Sequence, residues 1–350
     1  MFCCLSLFYS IYVKPKMDIE KYASGLTMVC IYLTKRQRSK NRLNRHLNEL
    51  RYRGTAKETS EIALRAEPIN TDDIDHLIRF LREFPNTISV NLRHSHIGDS
   101  CMDSVIRLAC ETSITKLDLG FNKFTGAGFA KLANVLDQTK LTVLDLTLNE
   151  FGRVGAEALA KAIPNSNLKR LKLILCRLGV EETCMILDAV ATSNISDLQL
   201  ASNTIGDDIG ARAIANMLES NDNLNALSLI GCEITDIGLG LIAPSISKAR
   251  RLRYLDISRN ASISRVAIDN MLDVIGYHPS LRSVRVDGCT GSYEATMWYL
   301  HRVRARLYLW EKVGPIMTIV STGVVKRIGY KASIRMLPLD LLRLLKHMLM

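Results

Sequence analysis

A pattern of apolar and polar positions recurs along the middle of the chain with a period of 27 to 29 residues. Each copy follows the frame LxxLxLxxNx(L/I/F), with apolar residues at positions 1, 4, 6 and 11 and Asn or Cys at position 9. Such regular repetition predicts stacked supersecondary units. Five consecutive segments match the frame throughout, at residues 114–124, 141–151, 168–178, 195–205 and 224–234, and weaker copies lie at 59–69, 87–97, 252–262 and 281–291.

Positions 4 and 6 of the frame alternate with polar positions, as in a short strand that buries one face. Position 9 should turn inward, where an Asn amide can satisfy backbone groups of neighbouring turns and an unmade hydrogen bond costs roughly 1–3 kcal/mol. A small Cys thiol fits the same buried position. The predicted ladder of position-9 residues comprises Asn122, Asn149, Cys176, Asn203, Cys232, Asn260 and Cys289.

After each strand come turn and helix-capping signals such as Thr125-Gly126, followed by an apolar run with helical spacing. Residues 129–136, for example, place apolar side chains at i, i+3, i+4 and i+7, on one face of a helix. The repeating unit is therefore strand, turn and helix. The sequence predicts an α/β fold, a right-handed solenoid of about nine repeats with an inner parallel sheet and outer helices. Because helices are wider than strands, the stack should bend into a horseshoe.

The repeats occupy residues 59–291 and divide the chain into three parts. Residues 1–58 are expected to form a basic amino-terminal segment that is partly disordered or helical. Residues 292–350 are expected to form a capping helix, which covers the last hydrophobic layer, and a tail. Apolar runs at 2–13 and 26–33 are each too short to span a bilayer. Whether residues 1–16 are a true part of the protein is left open.

The formal net charge of +11 is unevenly distributed. Residues 1–58 carry +8 and residues 292–350 carry +7, whereas residues 59–291 hold 24 Lys and Arg against 28 Asp and Glu. The repeats therefore do not favour contact with nucleic acid or membrane, and such contact is expected only through the ends. The run 35–57, with nine basic residues and one Glu, suits nuclear import, acidic partners or anionic lipid, or is an ordinary solvated arm.

Catalytic and metal-binding signatures are missing from the sequence. The chain has nine cysteines but no CxxC pair and no His at ligand spacing beside them, which favours reduced thiols in a cytoplasmic or, alternatively, nuclear protein. His94 and His96, near Asp99, have no third ligand of similar quality. No GxSxG, HExxH or GK[ST] motif occurs. We therefore predict no catalytic residue, no metal and no cofactor.

The repeats resemble the ribonuclease-inhibitor class of leucine-rich repeat proteins. Asn and Cys alternate at position 9 from Asn149 to Cys289, as in that class, and residues 152–163 (GRVGAEALAKAI) resemble its GxxGAxALAxAL helix. The resemblance covers about two thirds of the chain. It implies a non-enzymatic scaffold that binds another protein, because members of the class act by binding protein surfaces.

Members of this class inhibit nucleases, activate the Ran GTPase or form the sensing arm of NOD-like receptors, which leaves two alternatives. In a GTPase activator of the Ran type, an exposed rim arginine would be the catalytic finger. Arg93, Arg153, Arg177 and Arg259 lie near strand ends, but the larger rim insertions of that family are missing. The second alternative is a repeat-only fragment or relative of a NOD-like innate sensor; no Walker motif precedes the repeats.

The outward positions 5 and 7 of the strands form two columns on the predicted concave face, where a protein partner is expected to bind. Mixed charge in the first column suits electrostatic partner choice. In the second column, Ile174 and Ile230 place aliphatic side chains on a face that should be wet, with Leu175 beside them, and neighbouring exposed aliphatics mark interaction sites. The alternative is that Leu175 packs beneath a neighbour. The predicted contact residues are Asn91, Arg93, Asp118, Asp145, Thr147, Lys172, Ile174, Leu175, Gln199, Ile230, Asp256 and Arg285.

Overall fold

The chain divides by its internal contacts into two units, Met1–Tyr293 and Glu294–Met350, and the part described here belongs to the first. The predicted capping helix and tail at 292–350, and most of the basic segment 1–58, lie outside the described residues. The computed structural model describes residues 27–31, 47–48, 52, 59–64, 68–206, 208–275 and 278–290.

Within the described residues, ten short strands form one parallel sheet, in which neighbouring strands follow each other in chain order. Apart from the first two, each strand has three residues, which are frame positions 3 to 5. The predicted α/β solenoid with a parallel sheet is confirmed. The strands are β1 (Thr27–Ile31), β2 (Thr59–Leu64), β3 (Ser89–Asn91), β4 (Lys116–Asp118), β5 (Val143–Asp145), β6 (Arg170–Lys172), β7 (Asp197–Gln199), β8 (Ala226–Ser228), β9 (Tyr254–Asp256) and β10 (Ser283–Arg285).

A helix connects each strand from β2 onward to the next one. The first helix begins with a capping box between Asn70 and Asp73, and the Thr125 hydroxyl accepts the backbone N–H of Ala127 at the start of another. Such caps satisfy N–H groups that have no partner within the helix. The helices are α1 (Thr71–Glu83), α2 (Met102–Glu111), α3 (Gly126–Ala133), α4 (Gly152–Ala162), α5 (Val180–Ala191), α6 (Ile209–Ser220), α7 (Asp236–Lys248) and α8 (Arg265–Ile275).

The core lies between the sheet and the helices, and frame positions 4 and 6 supply the side of it that faces the helices from the sheet. Val90, Leu117 and Leu144 are direct partners in the parallel register, so position 4 of one turn lies beside position 4 of the next. These side chains and those at position 6 are almost fully buried. Each fully buried Leu contributes about 1.5–3 kcal/mol from removal of its surface from water.

Strand β1 lies before the repeats that the sequence predicts. It pairs in parallel with β2, with Val29 opposite Ile62, and so adds a turn to the sheet. Leu26, Val29 and Ile31 match positions 1, 4 and 6 of the frame. The period does not predict this copy, because Val29 and Ile62 are 33 residues apart, outside the range of 27 to 29, and because no Asn or Cys occupies position 9.

The position-9 asparagines connect consecutive turns through their side-chain amides. The Asn203 amide nitrogen donates to the carbonyl oxygens of Leu173, at 2.6 Å, and Leu200, at 2.9 Å. Its oxygen accepts the backbone N–H groups of Cys176 and Leu178, both at 3.1 Å. Asn260 makes the equivalent four bonds two ladder steps further along, beyond Cys232, and Asn122 and Asn149 make related ones. Each asparagine therefore bonds to its own turn and to the preceding one.

Cysteines at position 9 keep part of this network. The Cys176 thiol donates to the carbonyl oxygen of Leu146 at 3.3 Å, and Cys232 donates to that of Leu200 at 3.4 Å. These carbonyls belong to position 6 of the preceding turn, which is also an acceptor for the asparagine amides. Burial raises the pKa of both thiols to about 12. The ladder cysteines are therefore protonated donors within the core.

We expect Asn203→Ala to lower the free energy of unfolding by about 2–4 kcal/mol, because it leaves two buried N–H groups and two carbonyls without their partner. Urea unfolding followed by circular dichroism measures the change. Asn194→Ala is the control, since the Asn194 side chain is exposed. Equal stability of Asn203→Ala and Asn194→Ala would show that the ladder bonds contribute little.

We expect iodoacetamide at pH 8 to modify Cys110 faster than Cys176 or Cys232, by on the order of a hundredfold or more, because alkylation requires an accessible thiolate. Cys110 is exposed, whereas Cys176 and Cys232 have 0% exposure. Peptide mass spectrometry at successive times gives the rates, and urea should bring the three rates together. Comparable rates in the native protein contradict the buried thiol ladder.

Candidate binding surface

The face of the sheet that carries frame positions 3, 5 and 7 is termed the open face. Its counterpart carries positions 4 and 6, such as Leu171 and Leu173, which are fully buried against the helices. On the open face Tyr254 is 51% exposed and the Arg285 side chain is 62% exposed. Because successive residues of a strand point to opposite faces, this difference follows directly from the frame.

An ion network crosses the open face from the turn after β3 to strand β6. The Arg93 guanidinium lies 3.7 Å from a carboxylate oxygen of Asp118 and 3.7 Å from one of Asp145. The Lys172 ammonium lies 3.3 Å from the same Asp145 oxygen. Arg93 also lies 4.2 Å above the centre of the Phe121 ring, a cation–π contact. Four successive turns thus carry a fixed row of charges in the order positive, negative, negative, positive.

Gly120 allows Arg93 to reach across the neighbouring turn. A Cβ atom on Gly120 would lie 2.6 Å from the Arg93 guanidinium and 3.2 Å from the carbonyl oxygen of Thr147. No real side chain tolerates the first distance without movement of Arg93. The absence of a side chain at this position 7 is therefore part of the network geometry.

Several position-5 residues on the open face have a structural role that sequence reasoning missed. The Asp118 carboxylate accepts the backbone N–H of Gly120 at 2.9 Å, and Asp145 accepts that of Thr147 at 3.1 Å. Asp and Asn side chains commonly accept the N–H two residues ahead. The sequence contains a signal for this bond, because Asp or Asn occupies position 5 in half of the turns from β3 to β10. The residues with this bond are Asn91, Asp118, Asp145 and Asp256.

Asp118 is an unusual carboxylate. Burial and the nearby negative charge of Asp145 raise its pKa to about 6, from an ordinary value of 3.8. The positive charge of Arg93, the Gly120 N–H and Lys172 act in the opposite direction but do not cancel these effects. The native protein therefore holds a proton on Asp118 at pH values where the unfolded chain releases it.

The prediction that Ile174 is exposed is wrong, because this side chain is only 7% exposed. Asn91, Asp145 and Thr147, also predicted as contact residues, are buried at 6%, 6% and 3% exposure. Neighbouring strands lie about 4.8 Å apart, so equivalent side chains shield one another even on the open face. Ile174→Asp would consequently test stability, since it would bury an unpaired charge.

The remaining predicted contact residues keep part of their surface. Leu175, Ile230, Lys172 and Gln199 are half-buried, as are Arg93, Asp118 and Asp256, while Arg285 is exposed. Leu175 has a left-handed backbone, with φ of 55°, as do the other position-8 residues from His94 to Gly288. It lines a cleft of about 300 Å³ beyond the ends of β4 to β6. Other residues around this cleft include Lys123, Leu148, Glu150 and Arg177.

The histidines and two of the arginines that could carry chemistry near this surface interact with neighbouring side chains. The His94 and His96 rings lie 5.0 Å apart, and burial, with the charges of His96 and Arg93, lowers the pKa of His94. Within the described residues, no group of three or more His, Cys, Asp or Glu side chains is arranged to hold a metal ion. Arg153 and Arg177, two of the rim arginines, are paired with glutamates at 2.7 Å.

We expect Asp118→Asn to stabilise the protein by about 1–3 kcal/mol at pH 7.5 and to have little effect below about pH 4. Because the native pKa of Asp118 is the higher one, ionisation costs more in the folded state. The contribution of the Asp118 side chain to stability is therefore largest at low pH and is lost as the pH rises from 3.8 to about 6. The amide introduced by this substitution retains an oxygen for the Gly120 N–H, just as the Asn91 amide accepts the N–H of Arg93.

Urea unfolding of wild type and variant at both pH values measures this difference. Asp256→Asn is the matched control, since Asp256 makes the same bond to the backbone of Ser258 but lies between Ser228 and Arg285 in the sheet register. A stability gain from Asp118→Asn that is equal at both pH values would contradict the raised pKa of Asp118 in the folded protein.

The Leucine Rich repeat family profile matches residues 111–133 and 137–160, and no curated protein matches the chain. The alignment with the tropomodulin C-terminal domain of Caenorhabditis elegans covers 41% of this chain and 89% of that domain, with 20% identity and a TM-score of 0.36. The alignment with Leiomodin-1 Actin-Binding Site 2 covers 43% of this chain and 88% of the matched chain, with 17% identity and a TM-score of 0.36. The alignment with a chain of the yeast Rad7 and Elc1 complex covers 75% of this chain and 67% of the matched chain, with 14% identity and a TM-score of 0.49.

No helix in the described part of the chain combines the length and apolar character needed to cross a membrane. The matched segments span turns in which Asn122 and Asn149 occupy position 9, and the same frame continues through the parallel sheet. The ribonuclease-inhibitor subclass stays a prediction. From the repeat, the sheet and the family match, the chain is a leucine-rich repeat protein.

Proposed function

We propose that this protein is a non-enzymatic scaffold that binds a partner protein on the open face of its sheet, the face that the sequence predicts to be concave. The observation that carries the proposal is a row of two acidic side chains, Asp118 and Asp145, between the basic side chains of Arg93 and Lys172. The same face keeps side chains such as Tyr254 partly exposed. Leucine-rich repeats commonly provide such protein-binding surfaces. The network favours a macromolecular partner because it extends over four turns of the sheet.

The charges contribute to partner choice more than to stability. Partly exposed ion pairs are worth little to folding, commonly about 0–1 kcal/mol each. Their complementarity with a partner, in contrast, sets orientation and excludes partners with the opposite arrangement of charge. Beside the network, Leu175 and Ile230 add half-buried aliphatic surface, and Gln199 adds a hydrogen-bonding group. We place the central partner contacts at Lys172, Leu175, Gln199 and Ile230.

Binding is favoured over GTPase activation by the state of two of the four rim arginines, Arg153 and Arg177. A catalytic arginine must be free to reach the transferred phosphoryl group. Arg153 lies within 2.9 Å of Glu157 and within 2.7 Å of Glu181, and Arg177 lies 2.7 Å from Glu150. Those pairs would have to break before either side chain acted as a finger. The proposed compartment is the cytoplasm, with the nucleus as the alternative, because buried free thiols such as Cys176 suit a reducing environment.

We expect Gln199→Arg combined with Ser228→Arg to reduce capture of the partner by about tenfold or more, since two large cations on adjacent strands block the open face. Affinity capture from cell extract with quantitative mass spectrometry measures this. The control is Asn216→Arg with Asn270→Arg, which adds the same charge at exposed positions of α6 and α8. A protein that is captured equally by the wild type, the open-face variant and the control is not a partner of this face. If every captured protein behaves in this way, the proposal is wrong.

A further inference from the structure

Four arginines lie close together at the edge of the sheet where strands β9 and β10 begin. They are here called the arginine edge. Three belong to the loop between α7 and β9, and the fourth directly precedes β10. All four are exposed. The arginine edge consists of Arg250, Arg251, Arg253 and Arg282.

Backbone hydrogen bonds bring the two loops into contact. The Arg253 carbonyl oxygen accepts the backbone N–H of Arg282 at 2.8 Å and that of Ser283 at 3.0 Å. Arg253 and Arg282 are thus neighbours in consecutive turns. Arg251 is held from the other side, where its guanidinium lies 3.5 Å from the side-chain oxygen of Asn223. The four arginines therefore lie on two adjacent turns at one edge of the sheet, where their exposed side chains make a basic patch.

The arginine edge differs from most other arginines of the repeats in its lack of counter-charge. Arg153, Arg170 and Arg177 each have a carboxylate oxygen within 2.7 Å. In the part of the chain that the structure describes, none of the four side chains of the arginine edge has an ion pair. Uncompensated like charges raise the local concentration of anions and accelerate their association. The guanidinium group in addition matches a carboxylate through two parallel hydrogen bonds.

We propose that the arginine edge binds a short acidic segment, rich in Asp and Glu, of a protein partner. The length of the patch and its surroundings favour this ligand over nucleic acid. Nucleic acids need an extended basic track for their phosphates. Here Asp222 occupies the place of Arg250 one turn earlier, and Asp256 and Asp287 lie on the nearby open face. Residues 59–291 as a whole are acidic, so a long polyanion would meet repulsion beyond the patch.

Tyr254 makes single-stranded nucleic acid the competing ligand. It is 51% exposed next to Arg253, and an exposed ring beside basic groups can stack on a base. A single aromatic side chain gives one stacking platform, whereas binding to successive bases needs several. The arginine edge is therefore better matched to carboxylates than to a strand of nucleotides. This proposal is independent of binding on the open face, because it rests on different residues and is tested with a defined ligand.

The test measures binding of a fluorescent oligoglutamate peptide to the full chain by fluorescence anisotropy. We expect Arg253→Gln with Arg282→Gln to weaken binding by about tenfold, with the wild-type affinity falling as salt is added. The matched control is Arg153→Gln with Arg177→Gln, which removes the same charge from paired arginines elsewhere. Both double variants should keep the wild-type melting temperature. Because the basic ends are present in all three proteins, only the difference between the variants reports on the patch.

Equal weakening in the two double variants would overturn the proposal, since it would reflect net charge alone. Unchanged binding in Arg253→Gln with Arg282→Gln would overturn it as well, by assigning the peptide to the basic ends. A single-stranded oligothymidylate of the same charge provides the comparison between ligand classes. If it binds more tightly than the peptide and loses affinity in the patch variant only, the ligand is nucleic acid and the acidic-segment proposal is wrong.

Discussion

The hydrogen bonds of the position-9 side chains are the constraint on which the rest of the structure depends. Burial of leucines holds neighbouring turns together, but this force has no direction and does not fix how one turn lies against the next. The Asn203 amide does so, because it bonds to Leu173 of the preceding turn and to Leu200 of its own. With this register fixed, each outward side chain lies beside its counterpart in the next turn, and extended surface features become possible.

The architecture could be predicted because its determinants are local and periodic. Apolar residues at positions 4 and 6 specify which side of the strand is buried, and Val90, Leu117 and Leu144 indeed pair in register. Strand β1 escaped because an insertion separates Val29 from Ile62 and breaks the period. A periodic signal thus identifies turns of regular length, whereas a turn with a longer connection must be recognised from its strand alone.

The candidate surface was less predictable, because alternation along a strand gives the direction of a side chain but not its exposure. Ile174 points to the open face and is still buried, since equivalent side chains of the two neighbouring turns, 27 residues away on either side, lie beside it. Asp118 and Asp145 were assigned to a partner from their charge alone, yet both also accept a backbone N–H in their own turn. Lateral packing and competition between ligand and backbone are three-dimensional properties that the frame does not contain.

Charge on this scaffold acts over two distances. In the network around Arg93 and Asp145, opposite charges are already paired, so their field falls off rapidly and they can discriminate between partners only at contact. The guanidinium groups of Arg253 and Arg282 have no such pairing among the described residues, and their field extends to about the screening length of 8 Å at physiological salt. The average charge of the repeats conceals this division. A ligand is attracted by unpaired charges before contact and selected by paired ones after it, so a scaffold that separates the two sets can vary attraction and selectivity independently.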